Sequence, residues 1–185
     1  MQKNHGIADD ILISQCKKGS LKHQELLYKQ FYGYAMGISL RYSFSRDDAL
    51  EVVNDAFIKV FNAIGNYDSS KAFKGWLRTI VVNTAIDRRR KDMKHQFTTE
   101  IDDSLPLPSS QTTVDRLNVN DILKIMDALP AVQRAIFNLY EIDGYNHEEI
   151  AVMLDIPASS SRVYLSRAKE KLRNLINTEA QQHER

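Results

Sequence analysis

The chain is 185 residues long and 43% hydrophobic, which is enough for one domain or two small ones with modest cores. Its 25 basic and 24 acidic residues leave a formal net charge of +1, which argues against a nucleic-acid binder unless the charges are clustered. The single cysteine, Cys16, excludes an internal disulfide, and nothing resembles a secretory signal or an apolar run long enough to span a membrane. We therefore expect a globular protein of the reducing cytoplasm without membrane insertion.

Capping residues and glycine delimit the first two predicted helices. Seven glycines and four prolines are few, and no segment alternates apolar and polar residues convincingly, so we predict helix rather than sheet. Asp9 or Asp10 can cap a first helix that ends at Gly19, and Ser20 can cap a second helix that runs to about Tyr42. The expected buried stripe of the second helix is Leu27, Phe31, Tyr34 and Ile38.

Two further helices complete a predicted N-terminal bundle. The third has an unbroken i, i+3, i+4, i+7 apolar pattern, formed by Ala49, Val52, Val53, Ala56, Phe57, Val60, Phe61 and Ile64. Gly65 and Asn66 end it. The fourth runs from about Ala72 to Lys94 and finishes in RRRK. Its expected buried residues are Phe73, Trp76, Leu77, Ile80 and Val81.

A linker and four more helices follow the bundle. In residues 96–116 the apolar period disappears among Ser, Thr, Asp and two prolines, which predicts a flexible linker. A short helix then carries Ile122, Ile125, Met126 and Leu129. Pro130 suits the first turn of the next helix, which directs Ile136, Leu139 and Tyr140 inward and stops at Asp143 and Gly144. Asn146 can cap a third, and Ile156 and Pro157 form a tight corner before a fourth, from about Ser159 to Asn177. This order predicts a helix-turn-helix.

The last predicted helix has an inner and an outer face. Its inner face is Ser161, Leu165, Ala168, Leu172 and Leu175, so that Arg162, Val163, Ser166 and Arg167 point outward. In a major groove, Arg can bond guanine, Val can touch a thymine methyl, and Ser can serve either role. Lys169, Lys171 and Arg173 extend the basic surface toward phosphates. A merely solvated basic face is the alternative, and the upstream helix and Pro-containing corner favour DNA.

A second basic cluster, RRRK at 88–91, ends the fourth helix. A favourable interaction of these four cations with the negative C-terminal end of the helix dipole would be enough to explain the cluster. Aromatic and basic residues lie one helix length upstream, a mixture that is typical of surfaces that bind single-stranded DNA: Tyr67, Lys71, Phe73, Lys74 and Trp76. Spacing alone favours Phe73 and Trp76 as core residues, so the polar loop 65–71 is the better candidate for holding an extruded base.

Three segments resemble the bacterial RNA polymerase sigma factors, within them the small extracytoplasmic-function (ECF) group, over nearly the whole chain. DDALEVVNDAFIKVFNAI resembles the region 2.2 helix, and FKGWLRTIVVNTAIDRRRK resembles the stretch that opens and reads the minus-ten element. DALPAVQRAIFNLYEIDGYNHEEIAVMLDIPASSSRVYLSRAKEKLRNL resembles region 4, which reads the minus-thirty-five element. The resemblance implies an all-α fold with sigma region 2, a four-helix bundle, at 1–95, the linker at 96–116, and region 4 at 117–185.

The same resemblance implies sites and partners. Core RNA polymerase would be bound through the clamp helices of its largest subunit, at Asp48, Glu51, Asn54, Asp55 and Lys59, and through its flap. Single-stranded minus-ten DNA would contact Tyr67, Lys71, Lys74, Trp76, Asn83, Arg88, Arg89 and Arg90. Double-stranded minus-thirty-five DNA would contact Ser159, Ser160, Arg162, Val163, Ser166, Arg167 and Lys169. An anti-sigma factor is a further implied partner, and the holoenzyme would associate with the nucleoid.

The chain departs from the family pattern at several positions. Asp155 stands where Gly is usual at the helix-turn-helix corner, and Asp can adopt the left-handed conformation at modest cost. Ser161 replaces the usual Val on the inner face of the last helix. Asn54 and Asp55 replace Gln and Glu in the docking helix, each one methylene shorter. The base preference of the family is therefore not carried over to this chain, and we expect docking to survive.

Enzymatic chemistry and two other functions compete with this interpretation. The five histidines lack metal-ligand spacing with Cys16, and nothing resembles a nucleophile elbow, a phosphate loop or paired catalytic carboxylates, so we expect no catalytic residue, metal or cofactor. A dimeric helix-turn-helix regulator could bind a palindrome without polymerase. A helical adaptor could carry its basic clusters, and the acidic face that includes Asp47, simply as solvated surface.

Overall fold

The computed structural model describes residues 9–99 and 126–182, with side chains for residues 9–90 and 126–175. The chain divides into two compact units, Met1–Ala85 and Ile86–Arg185. All regular structure within the described ranges is helical, which confirms the predicted all-α fold. Ile122 and Ile125 and most of the predicted linker lie outside the described residues.

Four helices and one short turn build the N-terminal part of the chain. Helix α1 is Asp9–Lys17, α2 is Leu21–Tyr42, α3 is Arg46–Ala63 with a 3-10 turn at Ile64–Asn66, and α4 is Phe73–Thr99. Helix α4 therefore continues into residues 96–99, where we had predicted linker. Gly19 has a φ of +79°, a conformation that glycine adopts without strain, and it ends the turn between α1 and α2.

The helix starts follow local hydrogen-bonding chemistry only in part. The side chain of Ser45 accepts a hydrogen bond from the Asp48 backbone N–H and so caps α3. Ser20 is at the N-cap of α2, as predicted, but its side chain makes no capping bond. Its Oγ lies 2.7 Å from Nδ1 of His23 instead.

The core of this unit is formed by α1, α2, α3 and the first half of α4. Its fully buried large side chains include Leu12, Leu27, Phe57 and Leu77. Three predicted core residues are more exposed than expected, since Tyr34 is 36% exposed and Trp76 and Ile80 are half-buried. The Tyr34 ring lies at the surface. Its hydroxyl donates a hydrogen bond to the Lys74 carbonyl oxygen, and Nζ of Lys74 lies 5.8 Å from the ring centre.

Within residues 126–182, the C-terminal unit has three well-defined helices. Helix α5 is Ala131–Phe137 and continues into a π-helical turn at Asn138–Ile142, α6 is His147–Leu154, and α7 is Ala158–Gln182. Pro130 is the residue before α5 rather than part of its first turn. Met126, Leu129, Ala168 and Leu172 form a buried cluster against which Phe137 packs. Ile136 and Leu139 are buried as predicted, whereas Tyr140 is 38% exposed and lies against His147.

Two local devices fix the helix-turn-helix. Asn146 accepts from the Glu149 backbone N–H, and the Glu149 side chain accepts from the Asn146 N–H, which is a complete capping box for α6. Asp155 has φ 57° and ψ 50°, so the left-handed corner predicted for this residue is confirmed. These devices position the start of α7 against α6.

Candidate nucleic-acid and protein interfaces

Helix α7 has the two faces that its sequence predicts. Ser161, Leu165, Ala168 and Leu172 are buried, and Leu175 is half-buried. The outward residues are exposed along the first three turns: Ser159, Arg162, Val163, Ser166, Arg167 and Lys169. Ser160 is half-buried. The α6–corner–α7 arrangement therefore presents a polar, basic helix face with one exposed apolar side chain, Val163, at its centre.

Carboxylates orient two cations on this face. Nη2 of Arg162 lies 2.7 Å from Oε1 of Glu148 in the first turn of α6. Nζ of Lys169 lies 2.6 Å from Oε1 of Glu141 and 5.9 Å from the centre of the Tyr140 ring. A backbone N–H bond at the start of α6, together with the Arg162 guanidinium, lowers the pKa of Glu148. A nucleic-acid phosphate would compete with both carboxylates for these cations.

Aromatic side chains pack together before and within the first turn of α4. The Tyr67 ring lies 5.5 Å from Phe73 and 4.9 Å from Trp76, and the Phe73 and Trp76 rings are 5.7 Å apart, measured between centroids. Tyr67 and Phe73 are buried, whereas Trp76 is half-buried. Phe73 also contacts Phe31 of α2, with 4.9 Å between ring centres. The cluster is thus part of the bundle core, with Trp76 at its edge.

Tyr67 closes the polar loop that precedes α4. Its hydroxyl donates to the Lys71 carbonyl oxygen, and its own carbonyl oxygen accepts from Nζ of Lys17 at 2.8 Å. Burial raises the pKa of the Tyr67 hydroxyl. The ring face of Tyr67 is therefore covered by protein in this structure. The exposed groups of the loop are Asp68, Ser69, Ser70 and Lys71.

Other predicted minus-ten residues lie along α4. Lys74, Asn83 and Arg88 are exposed, while Arg89 and Arg90 are half-buried. Seven residues separate Trp76 from Asn83, so the two lie on the same side of the helix about two turns apart. The structure thereby brings Trp76, Lys74 and Lys71 to one end of α4 and leaves the arginines further along the helix.

The predicted docking residues lie on the outer face of α3. Glu51, Asn54, Asp55 and Lys59 are exposed, but Asp48 is half-buried and its carboxylate accepts from the Phe44 N–H at 3.2 Å, as part of the helix start. The Asn54 Oδ1 atom accepts from the Tyr28 hydroxyl at 3.0 Å. This bond fixes the orientation of the Asn54 amide group on the exposed face of α3.

The same face of α3 carries an exposed apolar residue that was not among the predicted docking residues. Ile58 is 59% exposed and follows Glu51, Asn54 and Asp55 at spacings of seven, four and three residues, which places it among them. The available signal was that Ile58 falls outside the apolar period of α3. A single exposed isoleucine is common on protein surfaces, so Ile58 is a candidate contact only because it lies among the predicted docking residues.

Two negative observations apply to the described residues only. Within residues 9–99 and 126–182, no group of three or more His, Cys, Asp or Glu side chains could hold a metal ion. In the same part of the chain, no helix is both long enough and apolar enough to cross a bilayer.

The fold and the exposed faces define a class of protein: a helical bundle with exposed acidic and apolar residues on α3 and an aromatic-basic end of α4, and a helix-turn-helix whose last helix has a basic outer face. Residues 27–95 match the family model for Sigma-70 region 2, and residues 120–172 match that for Sigma-70 region 4. Together with the relatives below, these matches show that the chain belongs to the ECF sigma factors of RNA polymerase.

Similar proteins span nearly the full length of this chain. It is 28% identical over 182 residues to the ECF RNA polymerase sigma-E factor of Haemophilus influenzae, covering 92% of this chain and 96% of that protein. The sigma-E factor of Escherichia coli is 26% identical, with 92% and 95% covered. The solved structure of the sigma factor RpoE of Bartonella quintana, in complex with the anti-sigma factor NepR, has the same fold at 20% identity and a TM-score of 0.52, covering 85% of this chain and 98% of that one.

Proposed function

We propose that this sigma factor directs promoter-specific initiation through three surfaces, each on a different part of the chain. Helix α7 reads the minus-thirty-five element as duplex, the loop before α4 and α4 itself capture the melted minus-ten strand, and α3 docks on core polymerase. The chain supplies binding and positioning, and the polymerase carries out the synthesis. The single observation that carries the proposal is the outward basic face of α7, held by a complete capping box and a left-handed corner.

At the minus-thirty-five element, Arg162 and Arg167 are the residues we propose for base readout. Each bidentate Arg–guanine contact contributes roughly 1–3 kcal/mol of discrimination. Val163 is 50% exposed and offers an apolar contact for a thymine methyl group. Ser159, Ser160, Ser166 and Lys169 complete the proposed contact set.

At the minus-ten element, we propose that the loop 68–71 and the exposed edge of Trp76 receive an extruded base. Extrusion costs on the order of a few kcal/mol, and stacking on an aromatic ring offsets about 1–3 kcal/mol of that cost. The Tyr67 hydroxyl donates a hydrogen bond to the Lys71 carbonyl oxygen and so stabilises this loop. Lys74, Asn83 and the arginines at 88–90 then follow the strand along α4.

Docking on the clamp helices of the largest subunit is assigned to α3. Glu51 and Asp55 supply negative charge, Lys59 supplies a cation one turn later, and Asn54 presents its amide group. Ile58 lies among them and would be covered by the partner. Asp48 has a second role in this proposal, because its carboxylate already stabilises the start of α3.

Charge reversal tests the docking face. Glu51→Lys and Asp55→Lys should each weaken the binding of core polymerase, measured by fluorescence anisotropy of a labelled factor. Asp10→Lys makes the same charge change on an exposed residue of α1 and should bind like the unaltered protein. If the α3 variants bind core polymerase as tightly as Asp10→Lys does, then α3 is not the docking helix.

Regulation and location complete the proposal. The similar sigma factor from Bartonella quintana was solved with an anti-sigma factor, and we propose that a protein of this kind sequesters the present chain as well. Released factor would act in the cytoplasm, associated with the nucleoid as part of the holoenzyme. A dimeric regulator acting without polymerase is not favoured, because one chain contains matches to both sigma regions.

A further inference from the structure

A buried hydroxyl lies on the inner face of the recognition helix. Ser161 is 0% exposed and occupies a position where neighbouring inward residues, Leu165 and Ala168, are apolar. A buried hydroxyl without a hydrogen-bond partner lowers the free energy of unfolding. The partner of Ser161 therefore determines whether this residue destabilises or stabilises the unit. Its Oγ lies 2.9 Å from Nδ1 of His147, the first residue of α6.

His147 is itself held in place on its other side. Its ring stacks on Tyr140, with 4.5 Å between centroids and 25° between planes. Tyr140 belongs to the π-helical turn that follows α5. One imidazole therefore joins three consecutive elements of the unit, the turn after α5, the start of α6 and the first turns of α7.

The next residue along each helix makes a second contact. Glu148 follows His147 and pairs with Arg162, which follows Ser161, at 2.7 Å. The two bonds lie on different sides of α7, one buried and one at the surface. Two bonds on different sides restrict rotation of α7 about its own axis, and this rotation decides where Arg162 and Val163 point.

We propose that His147 is a positioning residue that sets the rotation of the recognition helix through Ser161, and thereby its selectivity among minus-thirty-five sequences. This inference rests on the proposed function of α7 as the minus-thirty-five reader. Base readout requires side chains held within about half an ångström of a productive geometry. Removing the bond should therefore broaden sequence selection before it abolishes binding.

Holoenzymes with this factor, assembled on purified core polymerase, provide the assay. A promoter library randomised over the minus-thirty-five element is selected by transcription, and enrichment of the best sequence over the library mean gives a specificity ratio. His147→Phe keeps a ring against Tyr140 but lacks the bond, and should lower this ratio roughly tenfold, within the range that one bidentate base contact supplies. His147→Asn places an amide group near the Nδ1 position and should restore the ratio.

The chain offers a matched control in its other unit. His23 lies 2.7 Å from Oγ of Ser20 through the same Nδ1 atom, so His23→Phe removes a bond of the same kind away from α7. It should leave the minus-thirty-five ratio unchanged. A merely structural loss would lower the active fraction of protein and leave the ratio as it was, so the ratio separates positioning from folding.

Ser161→Ala keeps the test decisive if His147→Phe does not fold, because it removes the same bond without leaving a buried hydroxyl. Ser161→Ala should also broaden selection, and adding His147→Phe to it should cause little further loss. Unchanged ratios in Ser161→Ala, or equal losses in His147→Phe and His147→Asn, would overturn the inference. If the unaltered holoenzyme enriches no sequence at all, the proposed function of α7 fails instead.

Discussion

Truncation of Ile58 isolates the apolar part of the proposed docking face. Full burial of an isoleucine side chain is worth about 1.5–3 kcal/mol. The residue is 59% exposed in the free chain, so that fraction remains to be covered by a partner. Ile58→Ala should then cost about 0.9–1.8 kcal/mol of binding, or about five- to twentyfold in Kd for core polymerase.

Competition binding against unlabelled factor measures this change. The loss should hold at high salt, because burial of apolar surface is not screened, whereas the effect of Glu51→Lys should shrink as salt is raised. Leu21→Ala is the matched control, since Leu21 is 79% exposed at the start of α2. The reasoning is refuted if Ile58→Ala binds as tightly as the unaltered protein, or if Leu21→Ala loses as much.

Three further predictions concern the C-terminal unit. Arg173→Ala should reduce the slope of log K against log salt for promoter binding by about 0.9, the value of one phosphate contact, without changing sequence selection. Asn146→Ala should lower the free energy of unfolding by about 0.5–2 kcal/mol through loss of the α6 cap, measured by urea denaturation. Burial, followed by Arg162, lowers the pKa of His147 in the folded chain. As the pH drops below about 6.5, the unfolded chain therefore binds a proton at His147 before the folded chain does. The free energy of unfolding should fall in this range, and the His147→Phe variant should lack this pH-dependent decrease.

Features that depend on neighbouring residues in the sequence could be predicted. The inner and outer faces of α7 follow from helical period alone, and the cap at Asn146 follows from the identity of one residue and the Glu149 three positions later. The left-handed corner at Asp155 was expected from the family resemblance, in which Gly is usual at this position, and Asp155 has a φ of 57°. Helices α1, α2 and α4 begin within a few residues of their predicted starts.

Features that depend on contacts distant in sequence could not be predicted. Tyr67 is buried because α1 and α4 close over it, and its partners Lys17 and Trp76 are identified only by the fold. The bond between His147 and Ser161 joins residues fourteen positions apart. Helical periodicity predicts that Ser161 points inward, but it cannot identify His147 as the residue to which Ser161 bonds.

The pairing of charges is the other feature that periodicity leaves open. Arg162 and Lys169 point outward as the helical period requires, yet each meets a carboxylate from an earlier element. The domain ends at 95 and 117 stay predictions: α4 passes through residue 95 to Thr99, and residue 117 lies outside the described residues. The individual DNA and polymerase contacts also stay predictions.

Run-off transcription with core polymerase that lacks any other initiation subunit tests the central claim most directly. Genomic fragments from the source organism serve as templates, and transcript ends are mapped. The account predicts discrete start sites that appear only when the unaltered chain is added and that weaken with Glu51→Lys. Transcripts that are absent, or that begin at the same positions with and without the chain, would contradict it.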